Sequence, residues 1–216
     1  MPRLLSRDRL ESLLVRHVGP DVATRAIAST GLSGVHIEVT VMFVDIIGST
    51  ALAAERPPES IVAMVNALFE NVIRVVTESG GLVNQFQGDG ALCIFGAPIE
   101  VSDHAARALR AAVALRREIV ALAQAYPGFD AAIGVSTGQV VAGDVGTEDR
   151  AEYTVIGDAA NEASRLTDQA KERPARVLVS ETTVRAADAL DDDWLPAGSL
   201  ELRGRPRPTG VYEPAL

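Results

Sequence analysis

Two aspartates, each beside a small-residue turn, are the side chains of this sequence best suited to chemistry. Asp45 ends an apolar, β-branched run, "VTVMFVDII", and Asp89 lies at the tip of a hairpin-like segment, "LVNQFQGDGALCIFG" (82–96). Neighbouring carboxylates repel each other unless a cation neutralises them, and Mg²⁺ or Mn²⁺ prefers such oxygen ligands. Taken singly, Asp45 could instead cap a strand and Asp89 could simply form an Asp-Gly turn. Taken together, the two aspartates favour a metal site.

The segment that follows Asp45, "IIGST" (46–50), is suited to holding phosphate groups. Small residues ahead of a predicted helix leave backbone N–H groups exposed, and such groups are common ligands of triphosphates. The candidate phosphate ligands are Ile47, Gly48, Ser49 and Thr50. Two carboxylates beside a phosphate-binding turn indicate two-metal chemistry on a nucleotide.

A third candidate group is Asn161 with Arg165, in "GDAANEASRL". Residues four apart on a helix share one face, so the simplest alternative is a hydrogen-bonded surface pair. The predicted helix, however, begins at a Gly-Asp turn directly after an apolar strand, so that its first turns lie at the end of the sheet. There the asparagine could orient a ribose and the arginine could meet negative charge developing on a phosphate.

The elements that must position these residues follow from the hydrophobic patterns. From residue 39 the order is strand, helix, two strands, helix and strand, with long helices predicted at 59–79 and 102–126. This is the βαββαβ order of ferredoxin-like folds. We therefore predict an α+β fold, in which a mostly antiparallel sheet carries helices on one face and extra strands follow the core. In this topology the strand ending at Asp45 and the hairpin turning at Asp89 are neighbours.

The segments outside this core are less regular. Residues 6–29 have a helical pattern that Gly19-Pro20 interrupts, so we predict an N-terminal helical segment. Residues 129–146, rich in glycine, predict a pair of strands joined by a turn, and residues 153–170 predict a strand running straight into a helix. The remaining tail predicts a strand, a short helix and a closing hairpin.

Composition excludes several classes of protein. The 216 residues carry a formal net charge of −9, which argues against a protein that binds nucleic acid through its phosphate backbone. The single cysteine, Cys93, excludes a disulfide framework or a cysteine-rich zinc site and indicates a cytoplasmic protein. We find no apolar run that approaches a membrane span and no signal-peptide core, so no direct membrane contact is expected.

Four motifs, "FVDIIGST", "GDGALCIFG", "GQVVAGDVG" and "YTVIGDAANEASRL", together resemble the class III nucleotidyl cyclase catalytic domain. The likeness covers about residues 36–214, and residues 1–35 look like the transducer segment that precedes such domains. The resemblance implies a catalytic domain at 36–216 that converts ATP to 3′,5′-cyclic AMP and pyrophosphate. It also implies two Mg²⁺ or Mn²⁺ ions per site, sites formed between the subunits of a homodimer, and a longer parent protein with room for an upstream regulatory domain and a membrane tether.

The resemblance assigns roles to individual residues. Asp45 and Asp89 match the two metal-binding aspartates, and the Ile46 carbonyl matches a further metal ligand. Asn161 and Arg165 match the pair that stabilises the transition state.

Three further residues fall at substrate-binding positions of the family, and two of them match its pattern. Arg203 corresponds to a basic contact with the terminal phosphates, although a solvated loop charge is nearly as good an interpretation. Thr154 corresponds to one purine-reading position, where one bacterial subclass also has threonine. Gln85 departs from the adenylyl cyclase pattern, which has lysine there. Its amide can donate to N1 of adenine or accept from N1–H of guanine, and it forms neutral hydrogen bonds roughly half as strong as charge-assisted ones.

The sequence therefore predicts an adenylate cyclase with weakened activity or weakened purine selectivity. The alternatives are a guanylyl or relaxed-specificity cyclase and a catalytically silent nucleotide-binding signalling module. A diguanylate cyclase would need a GGDEF-like turn, which "GDGAL" (88–92) lacks. A ferredoxin-like RNA-binding domain is disfavoured by the acidic charge and by the few aromatic residues in the hairpin.

Overall fold

A computed structural model describes residues 34–147, 150–189 and 193–215 of the chain. The strands in these ranges are β1 (Val35–Ile46), β2 (Leu82–Gln87), β3 (Gly90–Phe95), β4 (Ala131–Thr147), β5 (Arg150–Ile156), β6 (Val177–Ser180), β7 (Trp194–Leu200) and β8 (Thr209–Pro214). The helices are α1 (Ser49–Glu55), α2 (Pro58–Glu78), α3 (His104–Ala125), α4 (Asp158–Ala170) and α5 (Glu181–Ala186). The predicted helical segment at 6–29 lies outside the described residues, and the domain boundary at residue 35 stays a prediction.

The strand order confirms the predicted core. The sheet runs β2-β3-β1-β4-β6-β8-β7, and β5 pairs with the far end of β4. Strand β1 is antiparallel to both β3 and β4, and α2 and α3 make the two crossover connections. The first four strands therefore have the order of a ferredoxin-like βαββαβ fold, and the remaining strands extend the sheet beyond β4.

The two faces of the sheet carry different helices. Successive side chains of a strand point to opposite faces, so β1 separates two hydrophobic clusters. Met42 and Val44 pack in one cluster with buried residues of α2 and α3, which lie on the same face as predicted. Val39 and Val41 pack in the other cluster with Ala163 of α4. Helix α4, which follows the core, thus covers the opposite face.

Helix α2 begins at the predicted Pro57-Pro58 and is the one helix in the described ranges that is long and apolar enough to cross a membrane. Its buried residues Met64, Leu68 and Val72 belong to the core under the sheet. We interpret α2 as the core helix of the domain. The prediction that no apolar run approaches a membrane span was wrong, because α2 has the length and the composition of such a run.

Strand β4 corrects one prediction. The sequence predicted two strands and a glycine-rich turn within 129–146, but the chain continues as a single strand of 17 residues to Thr147. Gly134 admits α4 instead of forming a turn, because a Cβ there would lie only 2.3 Å from the Ala163 carbonyl oxygen. At Gly138 a Cβ would make only an ordinary contact, 3.5 Å from the Cβ of Ala159, so the close approach of α4 is at Gly134.

Candidate active site

The structure places the two candidate metal aspartates at the same end of the sheet. Asp45 is the penultimate residue of β1 and pairs with Gly90, the first residue of β3. Asp89 immediately precedes Gly90, in the tight turn between β2 and β3. A Cβ on Gly90 would lie 2.8 Å from Oδ1 of Asp45, so this glycine keeps the space beside the carboxylate clear. The neighbourhood of the β1 end and the hairpin tip is as predicted.

The carboxylate of Asp45 forms an ion pair with Lys171, the C-cap residue of α4. Nζ of Lys171 lies 2.6 Å from Oδ2 of Asp45 and 3.1 Å from Oδ1 of Asp168. Partial burial lowers the pKa of Lys171, but the hydrogen bonds to Asp45 and Asp168 outweigh it, so that the pKa lies above its ordinary value. Neither Lys171 nor Asp168 was predicted as a site residue. Asp168 follows Arg165 by three positions on α4, which a helical pattern could have indicated, but Lys171 is the C-cap of the helix and has no such spacing from Arg165.

The donor set at this edge fits Mg²⁺ or Mn²⁺. In the described part of the chain, no three His, Cys, Asp or Glu side chains come together as a metal-binding group. Mg²⁺ commonly takes one or two carboxylates and completes its coordination with substrate phosphates and water. Oxygens of this kind are available from Asp45, Asp89 and the Ile46 carbonyl. The ion pair with Lys171 indicates that the Asp45 carboxylate attracts a cation.

The candidate phosphate turn has one fewer free amide than expected. The N–H of Ile47 donates to the carbonyl oxygen of Asp130, with N and O 2.9 Å apart, so it is not available to a phosphate. Gly48 adopts a left-handed conformation, with φ 65°, and begins α1 as its N-cap. Ser49 and Thr50 form the first turn of α1, where backbone N–H groups have no partner within the helix. The candidate amides are therefore those of residues 48–50.

A bulge in β2 decides which way Gln85 faces. Val83 pairs with Cys93 and Gln85 pairs with Leu92, so Asn84 is the extra residue of the bulge. Paired residues on adjacent strands share a face of the sheet. Leu92 belongs to the cluster on the α4 face, and Cys93 belongs to the cluster on the α2 and α3 face. Gln85 is thus on the α4 face. If the pairing continued without the bulge, with Asn84 opposite Leu92, Gln85 would face α2 and α3 instead.

The second candidate purine-reading residue, Thr154, reaches the same region from β5. Oγ1 of Thr154 lies 3.2 Å from Oδ1 of Asn84, although the two residues are 70 positions apart. Nδ2 of Asn84 donates to the carbonyl oxygen of Tyr153 at 2.6 Å. The bulge residue next to Gln85 therefore contacts Thr154 directly. Asn84 was not predicted to have a role, because no local sequence pattern indicates this long-range contact.

The candidate transition-state pair lies on α4, beside the turn that carries Arg203. Asn161 is exposed and Arg165 is half-buried. A Cβ on Gly204 would lie 3.6 Å from Nη2 of Arg165, so the turn after β7 lies near the guanidinium. Arg203 itself is exposed next to this contact. The structure thus brings Asn161, Arg165 and Arg203 to one region.

A buried acid anchors α4 and this turn to the sheet. Glu162 is only 3% exposed and forms an ion pair with Arg205. Its carboxylate also accepts hydrogen bonds from Ser136 of β4 at 2.5 Å and from Thr209 of β8 at 2.8 Å. Arg205 pairs in addition with Asp158 at 2.8 Å. Because a buried carboxylate needs such partners, this network fixes the position of the helix that carries Asn161 and Arg165.

The sheet order and the helices on its two faces are those of a nucleotide cyclase catalytic domain. A family model for the adenylate and guanylate cyclase catalytic domain matches residues 33–212, and the chain belongs to this family.

Similar proteins include both adenylyl and guanylyl cyclases. The chain is 41% identical over 213 residues to the uncharacterized protein Rv1318c of Mycobacterium tuberculosis, covering 98% of this chain and 39% of that protein. It thus spans about two fifths of the length of this curated relative. The adenylyl cyclase CyaB from P. aeruginosa superposes with a TM-score of 0.77 at 26% identity, over 85% of this chain and 96% of that one. The guanylyl cyclase Cya2 superposes with a TM-score of 0.73 at 29% identity, over 84% of this chain and 93% of that one.

Proposed function

We propose that this domain is an adenylate cyclase that converts ATP to 3′,5′-cyclic AMP and pyrophosphate. The observation that carries the proposal is the register of β1 and β3, which sets Asp45 beside the Asp89 turn at the end of the sheet. Thr154 supports adenine as the base, because its hydroxyl contacts Asn84, the neighbour of Gln85, and can accept a hydrogen bond from the exocyclic NH₂ group of adenine. Cyclisation assays with ATP and GTP, each in Mg²⁺ and in Mn²⁺, test the proposal by the product formed. Binding of ATP without release of pyrophosphate would instead indicate a silent nucleotide-binding module.

Two divalent ions would be held by Asp45, Asp89 and the carbonyl of Ile46. When bound, such ions acidify the ribose 3′ hydroxyl and neutralise charge on the phosphates. The protein supplies the oxygen ligands and the electrostatic setting, in which Asp45 already attracts the ammonium of Lys171.

The remaining roles belong to side chains and backbone groups of the chain. The 3′ oxygen attacks the α-phosphorus, the bond to the bridging oxygen breaks, and pyrophosphate leaves. Arg165 stabilises the charge that builds on the α-phosphate, while Asn161 orients the ribose. Arg203 and the amides of residues 48–50 hold the terminal phosphates. The 3′ proton passes to water or to a substrate phosphate.

The proposed site forms between two copies of the chain. One copy supplies the metal aspartates, and the other supplies Gln85, Thr154 and the Asn161–Arg165 pair. Exposed apolar side chains on the β4–β5 ribbon and at its junction with α4 support a surface that a second copy would cover. They are Val141, Val145 and Ile156, which are 36%, 46% and 58% exposed.

Lys171 should compete with metal for Asp45. Replacing it with methionine removes the ammonium while keeping most of the side-chain volume, so we expect Lys171→Met to bind Mn²⁺ more tightly. Because the ion pair is partly exposed, it is worth no more than about 1 kcal/mol, which corresponds to a two- to fivefold change in Kd. The measurement is Mn²⁺ titration followed by electron paramagnetic resonance, without nucleotide.

Lys171→Arg is the matched control, since it keeps a cation near Asp45 and should bind Mn²⁺ as the unaltered protein does. Unchanged or weaker Mn²⁺ binding by Lys171→Met would contradict the competition.

Gln85→Lys should raise ATP turnover. Lysine donates a charge-assisted hydrogen bond to N1 of adenine, so kcat/KM for ATP should rise about tenfold, given roughly 1–2 kcal/mol for the recovered interaction. GTP turnover should fall, because the N1–H donor of guanine would face an ammonium that has no acceptor. The measurement is kcat/KM for both nucleotides.

The control is Gln124→Lys, which adds the same charge at an exposed position of α3. It should leave both values unchanged. If Gln85→Lys leaves the ATP/GTP ratio as it was, residue 85 does not contact the base.

A further inference from the structure

Asn84 uses both ends of its side-chain amide to join β2 to β5. Its Nδ2 group donates to the Tyr153 carbonyl oxygen at 2.6 Å, and its Oδ1 atom lies 3.2 Å from Oγ1 of Thr154. Both Asn84 and Thr154 are half-buried. The two contacts involve consecutive residues of β5, so the amide is held in a single orientation.

The chemistry of these groups fixes the direction of each hydrogen bond. A backbone carbonyl oxygen only accepts, so the amide NH₂ must face Tyr153, and the amide oxygen must face Thr154. An amide oxygen also only accepts. The hydroxyl of Thr154 therefore has to donate its proton to Asn84.

A hydroxyl has one proton and two lone pairs, so this donation leaves Thr154 with acceptor capacity alone. Adenine presents an exocyclic NH₂ donor at C6, and guanine presents an oxygen acceptor there. An acceptor-only hydroxyl attracts the first and repels the second. Buried polar groups left without a partner are disfavoured, so the mismatch with guanine carries a cost.

We propose that Asn84 is a positioning residue for purine selectivity, which favours adenine by holding the Thr154 hydroxyl as a hydrogen-bond acceptor. The inference rests on the proposed function, in which Thr154 contacts the base. In this proposal Thr154 and Asn84, and not Gln85, distinguish adenine from guanine, because the Gln85 amide can turn either end toward a purine. Asn84 can do this because the bulge of β2 inserts it beside Gln85, within reach of β5.

The test is a double-mutant cycle on the ratio of kcat/KM for ATP to kcat/KM for GTP. Asn84→Ala frees the Thr154 proton, so the ratio should fall about five- to tenfold, the range for one hydrogen bond between partly buried groups. Thr154→Val removes the hydroxyl at nearly constant shape. In that background, Asn84→Ala should change the ratio by less than about twofold, since its effect passes through Thr154.

Asn84→Asp separates selectivity from the link to Tyr153. The carboxylate still accepts from Thr154 but cannot donate to the Tyr153 carbonyl, so adenine preference should be retained even if β5 is loosened. An unchanged ratio in Asn84→Ala would overturn the inference. So would a full effect of Asn84→Ala in the Thr154→Val background, or a loss of adenine preference in Asn84→Asp equal to that in Asn84→Ala.

Calorimetric titration of the same proteins with ATP and with GTP gives the selectivity ratio independently of turnover. A domain that binds both nucleotides but cyclises neither would refute the proposed cyclase, and the binding ratios would still decide the role of Asn84. A domain that binds neither nucleotide would overturn both.

Discussion

Asp45→Ala and Asp89→Ala should each reduce the formation of cyclic nucleotide to background. Each change removes a carboxylate that we propose as a metal ligand, at the end of the sheet where β1 meets the hairpin. Losing one group that stabilises transition-state charge typically costs up to about 10³-fold in rate, and loss of a metal ligand should cost at least as much. Release of pyrophosphate from ATP, measured in Mg²⁺ and in Mn²⁺, gives the result directly.

The fold should survive these changes. Asp45 is partly exposed, and Lys171 keeps its contact with Asp168 when Asp45 is removed, so the free energy of unfolding should change by no more than about 1 kcal/mol. Asp103→Ala is the matched control, because it removes an exposed, arginine-paired carboxylate at the start of α3. It should retain full activity. Turnover like that of the unaltered protein in either Asp45→Ala or Asp89→Ala would refute the metal assignment.

A mixture of two inactive variants should recover activity. In the proposed homodimer, Asp45→Ala damages the metal half of every site and Asn161→Ala damages the other half, so each variant alone should be inactive. A heterodimer of the two contains one intact site and one doubly damaged site. Random exchange at equal concentrations makes about half of the dimers mixed, so activity should reach about a quarter of that of the unaltered protein.

The arrangement of the site also predicts which pair cannot recover activity. Asp45→Ala mixed with Asp89→Ala should stay inactive, because both changes damage the same half of a site and every site keeps one of them. Different affinity tags on the two chains verify that heterodimers form. Failure of the Asp45→Ala and Asn161→Ala pair, in verified heterodimers, would show that the site is not shared between subunits.

Local patterns predicted the elements that carry their own signals. The apolar run before Asp45 gave β1, and the Pro57-Pro58 pair with its amphipathic continuation gave α2. The Gly-Asp-Gly tip gave the β2–β3 hairpin. These elements place Asp45 next to the Asp89 turn, so this part of the site could be located before the structure was known.

The remaining features depend on contacts between distant segments. The glycines of β4 have the same composition as a turn, and only the close approach of α4 explains Gly134. No periodic sequence pattern predicts the contact between Asn84 and Thr154 or the ion pair between Lys171 and Asp45. Such pairs form because the fold brings the two chain segments together, and a local sequence pattern carries no information about contacts between distant segments.

The bulge in β2 also bears on how substrate choice can change in evolution. Val83 and Gln85 pair with consecutive residues of β3, so a strand without residue 84 would have a continuous ladder and would keep both side chains on their present faces. Asn84 is therefore one residue more than the ladder between β2 and β3 needs. Deleting it would keep Asp45, Asp89 and Gln85 in place and would remove only the amide that holds Thr154. In the proposed site, a single codon gained or lost at this point could thus alter the preferred base without any change to the metal ligands.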